Sequence, residues 1–131
     1  EEILEIETAI ENTKDLKSVQ THLNTAVELF SNRETPDYRN SIKESISAVE
    51  AFCIILTGDE KATLGKALSQ IEKTYKIHPA MKSAFSSLYG YTSDSGGIRH
   101  SLLEDDIEVS IEDAKFMLVS CSAFINYLKS K

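Results

Sequence analysis

At 131 residues, 41% hydrophobic and 27% charged, the chain is the size of one domain and apolar enough to bury a core. Its net charge of −7 argues against broad electrostatic attraction to nucleic acid, and two prolines with five glycines argue against a disordered chain. No apolar run reaches the roughly 18 residues that a membrane helix needs, so no membrane association is expected.

The chain opens on acidic Glu1-Glu2 without an initiator Met. This reads as a piece of a longer cytoplasmic protein with no basic leader. Cys53 and Cys121 sit in apolar helical runs and read as reduced core residues, since neither has the spacing of a zinc site or a redox pair. Residues 1–13 read as a linker or short amphipathic helix with Ile3, Ile6 and Ile10 at helical spacing. The domain proper is expected over 14–131.

Residues 14–32 carry Leu16, Val19, Leu23, Ala26 and Phe30 in steps of three and four, which predicts one apolar stripe on a helix. His22 lies beside that stripe as a partly exposed residue. Thr35 and Pro36 match an N-cap and first helical position, so the next helix is predicted over 36–57. Its inward face is Tyr38, Ile42, Ile46, Val49, Cys53 and Leu56, with Gly58 as the terminating residue. A third helix is predicted over 63–76, with Leu64, Ala67, Leu68 and Ile71 inward. Ile77-His78-Pro79 breaks it, and His78 reads as a turn residue. Residues 79–89 offer Met81, Ala84, Phe85 and Leu88 as a buried face.

Tyr89 to His100 holds three of the five glycines and reads as a loop delivering Arg99-His100. An acidic loop follows at 104–108, which does not match a calcium loop, and no metal is expected. Ser110-Ile111-Glu112-Asp113 matches a capping box ahead of a last helix over 111–129. That helix is apolar on more than one face, so it is either central to the core or also faces a second copy. Five or six helices with short connections predict an all-α up-and-down bundle.

The charge is uneven. Residues 1–12 carry five Glu and no base, and 104–113 carry six acids and no base, whereas 61–82 carry five Lys and one Glu. A basic face therefore survives in an acidic chain. No phosphate-binding loop, dinucleotide fingerprint or nucleophile elbow is present, and the three histidines lack metal-ligand spacing. What remains is Arg99 with His100. An imidazole can move a proton near pH 7, and an adjacent guanidinium can hold a phosphate, which together suffice for metal-free RNA cleavage with no cofactor. The alternative is structural, with Arg99 paired to Glu104 or Asp105 and His100 capping a helix. On the second long helix, Arg39, Lys43 and Glu50 share one edge. Glu50 either pairs with Lys43 or Arg39 within the helix or orients Arg99 and His100.

Four stretches carry a family resemblance: Tyr38-Arg39-Asn40-Ser41-Ile42-Lys43 through Glu50-Ala51, Thr63-Leu64-Gly65-Lys66-Ala67-Leu68, Leu88 through His100, and Glu112 through Phe124. Together they resemble the C-terminal helical domain of bacterial abortive-infection-type proteins in the broad HEPN-like group. The resemblance implies a HEPN-like helical bundle that commonly dimerises and lies at the C-terminus of a larger protein; the apolar surplus of the last helix makes it the expected dimer face. It implies a role in phage defence or a toxin system, acting on RNA as a metal-independent endoribonuclease. Arg99 and His100 are the local counterparts of that family's Arg…His pair, supported by Glu50, Arg39 and Lys43. The alternative function is a non-catalytic dimerisation or regulatory module, serving the N-terminal domain of its parent protein.

Overall fold

The computed structural model describes residues 2–61, 64–73, 76–93 and 109–130. Six helices occur among them: α1 (Glu2–Asn12), α2 (Lys17–Ser31), α3 (Tyr38–Thr57), α4 (Leu64–Glu72), α5 (Pro79–Ser93) and α6 (Ile111–Lys129). No strand is present among the described residues, as the absence of alternating patterns predicts.

Helices α1, α2, α3 and α6 enclose the main part of the core, built on Ala9, Val19, Leu23, Ile42, Ile46, Cys53, Met117 and Ile125, and α4 extends it with Ala67, Leu68 and Ile71. The Phe30 and Tyr38 rings meet edge to face, with centroids 5.7 Å apart, across the α2–α3 turn. α2 and α3 run antiparallel: Asp37 N–H donates to Leu29 O at 2.9 Å, and Ser41 Oγ to Ala26 O at 2.8 Å. α6 breaks the expected up-and-down alternation. Ile3 and Ile6 share a cavity with Ile111 and Lys115, while Asn12 and Asp15 bond Asn126 and Lys129. α1 and α6 therefore run in the same sense. A parallel neighbour needs a crossover long enough to return along the bundle, and the chain between α3 and α6 supplies that length.

Capping explains four of the helix ends. Asp37, not Thr35, starts α3: its carboxylate accepts from Asn40 N–H at 3.0 Å. Glu34 and Thr35 belong to the turn before the helix, where their N–H groups donate to Asn32 Oδ1. Gly58 ends α3 in the left-handed region, at φ 72° and ψ 12°. His78 does more than turn the chain, since its Nδ1 accepts from Ala80 N–H at 3.1 Å at the start of α5. The capping box of Ser110 and Asp113 opens α6 as read.

Two further expectations change. α5 continues through Ser93, so Tyr89 to Ser93 is helix and not loop. One glycine inside a helix costs only about 1 kcal/mol, which is too little to end it at Gly90. Met81 is 42% exposed and Ala84 is also exposed, so this part of the predicted α5 face is not buried. α5 packs on α4, outside the four-helix core. Ile77 anchors the connection, at 6% exposure.

Candidate functional site

Arg99 and His100 lie outside the described residues, as do Glu104 and Asp105, so the predicted site is described through its supporting residues on α3. Arg39, Lys43 and Glu50 are all half-buried. They share one edge of the helix. Lys43 and Glu50 are two turns apart, about 10 Å along the axis, and Arg39 and Glu50 about 16 Å. Ion pairs in which both partners are described include Lys14–Glu11, His22–Glu44, Lys66–Asp59, Lys82–Glu72 and Lys129–Asp15. A seven-residue step restores the face but doubles the distance of a one-turn pair, and an eleven-residue step triples it, so helical geometry alone does not hold Glu50 against Lys43 or Arg39.

Glu50 also acts on its neighbourhood's electrostatics. Burial pushes the Cys53 thiol up to about 12, and the Glu50 carboxylate one turn away adds to the shift. Burial alone pushes Cys121 up to about 12. Both cysteines are free and buried. A thiol held protonated is neither nucleophile nor metal ligand at neutral pH. Among the described residues no group of three His, Cys, Asp or Glu side chains converges to hold a metal. No helix among them is long and apolar enough to cross a membrane.

Three surface features escaped the sequence reading in whole or part. His22 Nδ1 and Glu44 Oε2 lie 2.5 Å apart, tying α2 to α3 at a half-exposed position. The heptad-like spacing of α2 shows His22 beside the stripe, but only the α2–α3 register brings Glu44 to it. An apolar cavity of about 320 Å³ lies where α1, α2 and α6 meet, lined by Ile3, Ile6, Phe30, Ile111, Leu118 and Val119 with Lys115 at its edge. Of its lining, Ile3 is 70% and Ile111 46% exposed, and on the same two helices Leu4 is 64% and Phe116 54% exposed.

The third feature is a polar groove of about 580 Å³ between the end of α3, α4 and the start of α5. Lys66, Ser69, Gln70 and Lys73 form one wall, Lys82 another, with Thr57, Asp59 and Gly65 completing it. The concentration of lysine at 61–82 was legible in the sequence. That it lines a concavity was not.

Comparison with family models, with curated proteins and with solved structures returns no match.

Proposed function

We propose that this chain is a HEPN-like helical domain of a phage-defence protein of the abortive-infection type, acting on RNA. The reading is supported by where the resembling stretches lie in the fold. Residues 38–51 belong to α3, 64–68 to α4 and 112–124 to α6, and α3 packs against both of the others. Segments far apart in sequence thus meet in one packed unit, as parts of one ancestral domain would.

In this reading Arg99 holds the scissile phosphate and His100 transfers the proton from the attacking 2′-hydroxyl. No metal or cofactor is required, and the reduced thiols suit a cytosolic setting. Incubating RNA with the wild-type protein and with His100→Ala tests it. Cleavage by the wild type alone is the expected result; equal cleavage by both overturns the catalytic role.

A second reading is a dimerisation or regulatory module without cleavage. The exposed Ile3 and Ile111 around the apolar cavity, with Leu4 and Phe116 exposed on the same two helices, favour it, because exposed apolar surface of this kind marks an interface. The partner is a second copy, joined through the first turns of α6. Light scattering of the wild type and of Phe116→Glu distinguishes the cases. A dimer that the variant dissociates supports this reading, and a wild-type monomer refutes it.

A further inference from the structure

The polar groove between α3, α4 and α5 has the chemistry of a strand-binding surface, and the functional reading above does not use it. Lys66, Ser69 and Gln70 share one stripe of α4 at i, i+3 and i+4, and Lys73, the first residue past its end, continues that line at i+7. Ala67, Leu68 and Ile71 occupy the opposite face and are buried. The core thus holds α4 so that its ammonium, hydroxyl and amide groups point outward in a row about 10 Å long. Lys82 faces that row from α5.

The charge balance of the groove is positive. Three ammonium groups stand against one lining carboxylate, Asp59. The Lys61 backbone N–H, and after it the Lys66 side chain, hold the Asp59 carboxyl below the usual carboxylate range. Lys66 bonds Asp59 at 3.0 Å and Lys82 bonds Glu72 at 3.2 Å, both at exposed positions. Exposed pairs of this kind contribute little and exchange readily for another anion. Lys61 and Lys76 are exposed nearby.

The rest of the chain is strongly acidic, since the whole carries −7 while residues 61–82 carry five Lys and one Glu. An anionic polymer is repelled elsewhere and confined to this face. A compact anion is the poorer match. The lysines lie in a row and do not converge on one point, whereas a strand presents charge at intervals. Between the lysines, Ser69 and Gln70 supply neutral hydrogen-bonding groups suited to phosphate oxygens and 2′-hydroxyls.

We propose that this groove binds the sugar–phosphate backbone of single-stranded RNA, with Lys66, Lys73 and Lys82 on phosphates and Ser69 and Gln70 between them. The proposal rests on the RNA-directed reading above and locates its binding surface apart from Arg99 and His100. Binding is sequence-tolerant, because the proposed contacts are to phosphates and sugar hydroxyls and not to bases.

The test uses a fluorescein-labelled oligouridylate and the whole chain, read by anisotropy over rising KCl. The variant is Lys66→Gln with Lys73→Gln; the control is Lys14→Gln, an exposed lysine paired with Glu11 on the α1–α2 turn. The wild type is expected to bind with a salt slope near −2, and the double variant to lose about tenfold in affinity and about 1.4 from the slope. The control keeps both. Thermal melts confirm folding, and Lys73→Gln alone serves if the double variant is unstable. Wild-type binding that the groove variants leave unchanged overturns the groove and leaves the RNA reading standing. Failure of the wild type to bind at any salt overturns both. Equal competition by polyglutamate overturns RNA as the occupant in favour of an acidic polypeptide.

Discussion

Replacing Gly58 with alanine isolates the backbone at the end of α3 from every packing effect. Gly58 holds φ 72° and ψ 12°, and its N–H donates to Ile54 O at 2.8 Å. A β-carbon added there meets nothing within 4 Å. The substitution therefore fills open space, and its cost is the left-handed conformation alone, about 1–2 kcal/mol for a residue with a β-carbon. At roughly 2.1 cal/mol/K of unfolding entropy per residue, 131 residues translate this into a Tm lower by about 4–7 °C. Urea and thermal melts followed by far-UV circular dichroism measure it, with the urea m-value unchanged because no buried surface is lost. Gly58→Asn serves as the internal standard: asparagine visits the left-handed region more readily, so its loss is smaller. An alanine variant as stable as the wild type, or an asparagine variant weaker than alanine, refutes the argument that the α3 terminus depends on this conformation.

Ser122 is fully buried in α6, and its Oγ has no hydrogen-bond partner among the described residues. Ser122→Ala removes that unsatisfied group at little change in volume and is expected to raise stability by up to about 1 kcal/mol in urea melts. A loss of 1 kcal/mol or more would show that the hydroxyl is bonded after all. The thiols predict alkaline behaviour. With both pushed up to about 12 from 9.0, the folded chain keeps its thiol protons while the unfolded chain loses them. Stability from this source is full below pH 9 and falls as pH rises toward 12. A Cys53→Ala, Cys121→Ala variant should lose less stability over that window than the wild type, whatever its stability at neutral pH. In the native protein both thiols should react with iodoacetamide only at the rate of unfolding.

Much of the fold was legible because local signals agreed. The capping box at Ser110 and Asp113, the glycine at 58, and the three-and-four spacing of Val19, Leu23 and Ala26 each act within a few residues. Such features survive any change in tertiary context. The boundaries that moved did so for equally local reasons, as with Asn32 claiming Thr35 and a single glycine failing to stop α5. The buried serines of α3 were not legible. Ser41 and Ser45 are fully buried, with Ser41 bonded to Ala26 O and Ser45 to Ser41 O. A hydrophobicity pattern counts them as surface, yet a carbonyl on the facing helix satisfies Ser41 and a carbonyl one turn back on α3 satisfies Ser45, so both sit in the core.

The candidate site divides in the same way. Residue chemistry alone selected Arg99, His100, Glu50, Arg39 and Lys43, and helical arithmetic put the last three on one edge of α3. It could not decide contact, because sharing a face at seven or eleven residues leaves side chains turns apart. The asymmetry of charge along the chain was a property of the sequence. Its meaning was tertiary: lysines on α4 and α5 became one groove only when α3 buried the apolar face of α4 and turned the polar stripe outward. The apolar excess of α6 likewise had two readings in the sequence. Ala114, Met117, Leu118, Cys121, Phe124, Ile125 and Leu128 are buried in this one chain, and Phe116 and Ile111 are left exposed. Composition and period determined which helices form and which faces are apolar. Only the packing of α6 parallel to α1 decided which of those faces the core consumes, because burial depends on neighbours that lie far away in sequence.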